Sequence, residues 1–296
     1  MTTQPPPPPP PLTRLMEVAF VGVALVLAIV LDRAWVVSLV GVALGGAAAI
    51  LAVYDSGFAV EHKDDRSPLT AADLASHRIL VDGLRALTPE IPVLSEECAD
   101  LDPVVRRGWS RYWCVDPLDG TREFVKRNGE FCICIALIED GAPTIGLVHA
   151  PVSGRCHAAA RGLGAFVTEA DAVTRPIRAA VPGASWRVAG SRSHGDARTE
   201  GVLAKLGPNE HRPMGSALKF GLIAEGSADL YLRFGPTSEW DTAAGQCIVE
   251  EAGGRVLDLH GQPLRYNQRD SVLNPDFVAY GALDVAQQAQ LSGALA

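Results

Sequence analysis

The sequence has no surplus of positive charge and no paired-cysteine motif, and each absence narrows the function. Lys and Arg total 26 against 34 Asp and Glu, a formal net charge of −8. That balance lacks the basic face of a general nucleic-acid binder. Six cysteines, at positions 98, 114, 132, 134, 156 and 247, form no Cys-x-x-Cys pair. This excludes a disulfide framework and fits a reducing compartment. The seven histidines form no His-Glu-x-x-His, and the cysteines show no zinc spacing, which argues against a zinc enzyme. No internal repeat is found. What is abundant is apolar: 48% of residues are hydrophobic and 20% charged. Such a chain is too apolar to be mostly disordered and can bury a large core. Its 296 residues suggest about two domains.

The mean hydropathy of +0.14 is high, and the excess sits in the first 54 residues. Residues 5–11 are seven consecutive prolines, an extended spacer within a disordered tail over 1–14. Two uncharged runs follow, Val18–Leu31 and Ala34–Tyr54, separated by Asp32 and Arg33. The second is long enough to cross a bilayer; the first needs Leu15, Met16 and a costly Glu17. Three readings stand side by side here. One is a membrane hairpin or anchor. Another is a signal peptide, although only Arg14 precedes the apolar region and no small-x-small site follows. The last is a buried helix of the globular fold.

Beyond residue 55 the pattern becomes regular. Ala71–Leu87 reads as a helix, with Leu74, Ile79, Leu80, Leu84 and Leu87 on roughly one stripe. Thr88-Pro89 ends it. Ile91–Leu94 and Tyr112–Val115 read as short buried strands. Phe131–Glu139 alternates and forms a hairpin with Thr144–His149. Cys156–Ala160 and Ala165–Thr168 form another. From Trp186 strands and helices alternate: Arg187–Ala189, Gly201–Leu206, Ala217–Glu225, Asp229–Phe234, Asp241–Ala252 and Arg255–Leu259. The expectation is an α+β part, 38–180, followed by an α/β part, 181–296.

The most informative segment is Asp116-Pro-Leu-Asp-Gly-Thr121. A buried strand ends at Asp116, and Pro117 holds it extended. A tight turn can then bring the Asp119 carboxylate to the same point. Gly120 permits close backbone approach, and Thr121 starts a helix with free N–H groups suited to an anion. The Leu118 carbonyl is a third hard oxygen ligand. The set fits Mg²⁺ with a substrate phosphate; the plain alternative is an Asp-rich surface turn. Two further acidic sites lie on similar edges. Ser95-Glu96-Glu97 follows an apolar strand and is otherwise an exposed loop. Glu239-Trp-Asp241 opens a helix, where Asp241 is otherwise a cap. Thr70-Ala-Ala-Asp73 is a capping box. Asp73 can also take a proton from the Thr121 hydroxyl, a workable general-base relay to water.

In this order, Thr70-Ala-Ala-Asp73, Ser95-Glu-Glu97, Asp116-Pro-Leu-Asp-Gly-Thr121 and Trp240-Asp241 resemble the inositol monophosphatase-like, Mg²⁺-dependent, lithium-sensitive phosphatases. Arg122–Phe131, Ser191-Arg-Ser-His194, Gly215–Lys219, Arg233–Thr237 and Leu273-Asn-Pro275 are similar to the bacterial CysQ-type 3′(2′),5′-bisphosphate nucleotidases. The likeness runs from about residue 38 to 280. It implies a layered αβαβα sandwich of the inositol monophosphatase and fructose-bisphosphatase type. It assigns residues 38–54 to the globular fold and leaves 15–37 as an apolar extension, a candidate membrane segment. The chain departs from the family pattern at Gly45-Gly46, where relatives carry charge, so its first helix has almost no polar face.

The resemblance implies that Glu96, Asp116 and the Leu118 carbonyl hold one Mg²⁺, and Asp116, Asp119 and Asp241 a second, with a third joining with substrate. Two such metals clamp an in-line displacement by water. Asp73 and Thr121 are the catalytic pair, and the Gly120 and Thr121 amides bind the scissile phosphate. The substrate-binding set is Glu96, Leu118, Asp119, Gly120, Thr121, Ser191, His194, Lys219 and Asp241. Lys126, Arg127 and Arg192 are further candidates for a second phosphate. The expected reaction is hydrolysis of the 3′-phosphate of adenosine 3′,5′-bisphosphate to AMP, in sulfur assimilation. The alternatives are an inositol monophosphatase or a sugar bisphosphatase, and a silent membrane-tethered binder. The expected setting is a cytoplasmic active domain, a candidate for attachment to the inner membrane through residues 15–54 and for homodimer formation.

Overall fold

The computed structural model describes residues 35–56, 60–62, 68–98, 101–171, 173–192 and 196–296. The proline tail and the apolar segment up to residue 34 lie outside the described residues, as does His194.

Two sheets organise the chain. The larger has seven strands in simple sequence order: β3 (Val93–Ser95), β4 (Arg111–Asp119), β5 (Cys132–Glu139), β6 (Ala142–Ala150), β7 (Arg155–Ala160), β8 (Gly164–Thr168) and β9 (Thr174–Ile177). Only β3 and β4 run parallel; each later neighbour is antiparallel. The smaller sheet is mixed, with strands β10 (Trp186–Gly190), β11 (Asn209–Pro213), β12 (Leu230–Arg233), β13 (Arg255–Asp258) and β14 (Phe277–Tyr280) in the order β11-β10-β12-β14-β13. A short antiparallel pair, β1 (Val60–His62) and β2 (Pro68–Thr70), stands apart.

Helices cover and separate the sheets. Helices α1 (Trp35–Tyr54) and α2 (Ala71–Leu87) pack Leu39, Ile50, Leu80 and Leu84 onto Ile133, Ile135 and Leu137 of the large sheet. The opposite face, Cys134, Ala136 and Ile138, meets Ala243, Ala244, Cys247 and Ile248 of α7 (Glu239–Glu251). Phe220 of α6 (Leu218–Ala224) and Tyr231, Phe277 and Ala279 of the small sheet close the same cluster. The small sheet's outer face, Val188, Leu230 and Val278, packs on α5 (Ala197–Leu206) and α8 (Val285–Leu295). Two short helices, α3 (Pro103–Arg107) and α4 (Thr121–Val125), complete the set. The layers are therefore αβαβα, as the motifs implied.

Helix α1 explains its own lack of charge. A Cβ on Gly46 would sit 2.9 Å from Leu80 Cδ2 and 3.2 Å from Ile133 Cδ1, and one on Gly83 of α2 would sit 2.6 Å from Val42. Glycine lets the two helices approach until ordinary side chains would collide. The buried face of α1 is Leu39, Val40, Ala43, Ala47 and Ile50, while Ser38, Gly41, Ala48 and Ala52 face outward. The outward face is thus small rather than polar. Among the described residues no helix meets the requirements of a membrane span, and membrane contact through 38–54 is not supported, since that segment is packed on α2 and the sheet. The tight crossing also corrects the stripe expected for α2. Leu74 and Ile79 are exposed, and the buried face is Ala72, Asp73, Ser76, Leu80, Val81 and Leu84.

Candidate active site

The turn expected after Asp116 is instead a bulge within β4, which continues through Asp119. Asp116 pairs with Cys134 and Asp119 with Cys132, so β4 uses three steps where β5 uses two. Residues i and i+3 of a regular strand face opposite sides; one extra residue returns them to the same side. Pro117 suits this place because it has no N–H to leave unpaired. The Pro117 carbonyl released from the ladder accepts from Ser76 Oγ of α2 at 2.8 Å. Asp116 Oδ1 in turn accepts from the Leu118 amide at 2.9 Å. These two bonds brace the bulge that sets both carboxylates on one side.

Asp241 reaches the same point from the start of α7. It is the third helical residue, and its Oδ2 accepts from the Ser238 amide at 2.8 Å in a capping box. Capping and convergence are not alternatives here, because one oxygen caps and the carboxylate still faces the bulge. Carboxylate oxygens of Asp116, Asp119 and Asp241 all lie within 4.8 Å of one another. Glu96, at the turn that follows β3, lines the same cavity. Burial pushes the Asp116 carboxyl well above the usual range, and the charges of Glu96, Asp119 and Asp241 push it further. Burial, then Asp119, raises Asp241 to about 8. Asp119 is raised by burial too, opposed by Lys219 and the Ala217 amide that donates to its Oδ2. Negative groups crowded this closely need a cation beside them.

Asp73 shows the same dual geometry. Its Oδ2 accepts from the amide and hydroxyl of Thr70, each at 2.7 Å. Its Oδ1 accepts from Thr121 Oγ1 at 3.1 Å, and that hydroxyl also lies 3.3 Å from the Leu118 carbonyl oxygen. Helix α2 thereby delivers a buried carboxylate to the first residue of α4. Gly120 precedes that helix with φ +93°, and a Cβ there would sit 3.0 Å from Ser216. The carboxylates open onto a cavity of about 950 Å³ between the two sheets, lined on the far side by Ser191, Lys219, Tyr231 and Arg233.

The inositol monophosphatase family model matches residues 33–291 of this chain. The chain belongs to the inositol monophosphatase family. Within it, the 3′(2′),5′-bisphosphate nucleotidase CysQ of Escherichia coli O157:H7 is 51% identical over 235 residues, covering 77% of this chain and 92% of that protein. The protein of the same name from Aggregatibacter actinomycetemcomitans is 38% identical over 227 residues, covering 76% and 84%. The crystal structure of CysQ from Bacteroides thetaiotaomicron superposes with a TM-score of 0.73 at 37% identity, covering 83% of this chain and 97% of that one.

Against this family frame the second set of expected residues divides. Ser191, Lys126 and Lys219 line the cavity. Lys219 is buried and donates to the Ser216 carbonyl at 2.6 Å while lying 5.2 Å from the Tyr231 ring centroid. Burial pushes its ammonium below the ordinary lysine range, with Asp119 opposing. It thus holds the Ser216–Ala217 loop against Asp119. Arg192 lines the cavity but is paired with Glu130, both of whose oxygens lie 3.1 Å from its Nε. Arg127 is not at the cavity. Its guanidinium donates to the Tyr54 and Ser56 carbonyls at 2.7 and 2.9 Å and caps the end of α1. Residues given no site role from the sequence are Ser216 and Ala217, which lie within the quoted Gly215–Lys219 block and touch the Asp119 side, and Tyr231 on the cavity wall.

Proposed function

We propose that the protein is a Mg²⁺-dependent 3′(2′),5′-bisphosphate nucleotidase. It hydrolyses the 3′-phosphate of adenosine 3′,5′-bisphosphate to give AMP and inorganic phosphate, as a step of sulfur assimilation. The observation that carries this reading is the convergence of Asp116, Asp119 and Asp241 beside the Asp73–Thr121 pair. The substrate class comes from the likeness to nucleotidases that are 51% identical over most of their length.

The donor set suits Mg²⁺, being oxygen throughout: Glu96, Asp116 and the Leu118 carbonyl for one ion, Asp116, Asp119 and Asp241 for another. Bound Mg²⁺ supplies charge neutralisation on the phosphoryl oxygens and acidifies water. Every other role falls to the chain. Thr121 Oγ1, already bonded to Asp73, takes up the proton of the attacking water and passes it to that buried carboxylate. The Gly120 and Thr121 amides orient the scissile phosphate. The cavity wall from Ser191 to Tyr231 receives the nucleoside, with Lys219 fixing the loop beside Asp119. Cys and Ser nucleophiles are not required, so water attacks directly with no phosphoenzyme. The six cysteines are free, which fits a cytoplasmic setting.

Phosphate release with Mg²⁺ across adenosine 3′,5′-bisphosphate, inositol 1-phosphate and fructose 1,6-bisphosphate tests the assignment. The nucleotide should give the highest kcat/KM. Faster turnover of inositol 1-phosphate or the sugar bisphosphate would transfer the protein to one of those activities.

A further inference from the structure

Cys132 and Cys134 open β5 on the face that carries the carboxylates, and both are buried. The β4 bulge sets Asp119 across from Cys132 and Asp116 across from Cys134. The two sulfurs lie 3.8 Å apart. Cys132 Sγ is 3.7 Å from Asp119 Oδ2 and 3.3 Å from Ser216 Oγ. One ligand atom from each of Asp119, Cys132 and Cys134 falls within 4.8 Å of the other two. Tetrahedral zinc with Zn–S bonds of about 2.3 Å and a Zn–O bond of about 2.0 Å places its sulfurs about 3.8 Å apart and sulfur from oxygen about 3.5 Å apart. The 3.8 Å between the sulfurs matches that spacing, and the 3.7 Å between Cys132 Sγ and Asp119 Oδ2 is close to it. Asp119 and Ser216 line the cavity, so the two buried sulfurs stand directly behind its wall. Thiolate ligands select soft ions, which separates this site from an all-oxygen Mg²⁺ cage.

We propose that Asp119, Cys132 and Cys134 form a second, thiophilic cation site for Zn²⁺ or Cd²⁺, with water or the Ser216 hydroxyl as fourth ligand. Binding forms two metal–sulfur bonds, releases two thiol protons to solvent and changes no oxidation state. It engages Asp119 and so inhibits the enzyme by drawing that carboxylate from the Mg²⁺ cage. The binding half stands on the side-chain geometry; the inhibitory half rests on the nucleotidase reading. The site escapes a motif search because Cys-x-Cys on one strand is completed by an aspartate from the neighbouring strand.

The test is a Cd²⁺ titration of the Mg²⁺-free full chain, read by the ultraviolet sulfur-to-cadmium charge-transfer band, with bound metal counted by mass spectrometry. Wild-type protein and Cys98→Ala, which alters the exposed cysteine, should show a saturable band. Cys134→Ala and Cys134→Ser should bind Cd²⁺ at least about tenfold more weakly at this site and lose the band. In the presence of Mg²⁺ and adenosine 3′,5′-bisphosphate, the Zn²⁺ concentration for half inhibition should rise by about tenfold or more in the same variants. Absence of the band in wild type, or its persistence in both Cys134 variants, overturns the site. A normal band with unchanged Zn²⁺ sensitivity in the variants overturns the inhibitory half. A chain inactive on the nucleotide but showing the band removes the nucleotidase reading and leaves the cation site standing.

Discussion

At the scale of single residues, several side chains hold two jobs at once, and substitution can separate them. Asp73 caps α2 through one oxygen and meets the Thr121 hydroxyl through the other. Removing the partner on each side isolates each job. Thr121→Ala should lower kcat by about 10²-fold with little change in melting temperature, because it deletes the hydroxyl of the relay. Thr70→Ala should do the reverse, costing about 0.5–2 kcal/mol of stability through the lost cap while kcat stays within a few-fold of wild type. Steady-state kinetics with urea denaturation of both variants checks this. Equal kinetic effects would show that Thr121 serves structure alone. Asp241 repeats the device at the start of α7, so two helices each present an acid at the same helical position. The residue motifs made these acids legible, since capping boxes and Asp-rich edges are local patterns. Lys219 was legible as a substrate-binding candidate, but its attachment to the Ser216 carbonyl was not, because a long side chain bonds wherever its neighbours have carbonyls to satisfy. The Cys–Asp meeting was equally hidden, being set by cross-strand register.

At the scale of elements, the bulge in β4 and the crossing of α1 with α2 determine where the chemistry sits. Ser76 of α2 holds the Pro117 carbonyl, so the crossing and the bulge are mechanically joined. Enlarging the crossing at Gly46→Leu should destabilise the fold by about 1–3 kcal/mol, since the added atoms meet Leu80 and Ile133. Chemical denaturation measures it; an unchanged midpoint would mean that α1 is loosely seated. Element reading from sequence succeeded where periodicity was complete. Ile133, Ile135 and Leu137 alternate against Cys132, Cys134 and Ala136, and the helix over Ala71–Leu87 has the expected bounds. It failed where burial removes periodicity. Strand β14, Phe277–Tyr280, lies inside the small sheet and is buried at all four positions, whereas the edge strand β11 is exposed at all five. Neither alternates, so neither announces a strand. The bulge itself was read as a turn, because Asp-Pro-Leu-Asp-Gly contains turn residues and the ladder that continues through it is formed by distant β5.

At the scale of the whole molecule, the large sheet and helix α7 converge on one acidic centre, and folding must bring like charges together. In the metal-free protein the carboxyls of Asp116, Asp119 and Asp241 are raised, Asp241 to about 8. A raised folded-state pKa means that the folded chain keeps protons which the unfolded chain gives up. The associated stability is complete below the ordinary aspartate range and is lost as pH rises through about 8. The melting temperature of metal-free protein should therefore fall between about pH 5 and about pH 9, and Mg²⁺ should restore it at the upper end far more than at the lower. A flat profile without metal would contradict the crowding. The most direct test of the central claim compares Mg²⁺-dependent phosphate release from adenosine 3′,5′-bisphosphate by wild type, Asp119→Asn, Asp241→Asn and the double variant. If the bulge acid and the helix acid serve one cation centre, each single change lowers kcat/KM by about 10²-fold or more, and the double variant falls little below the worse single. Near-wild-type turnover by either single variant, or losses that multiply in full, would contradict a shared centre.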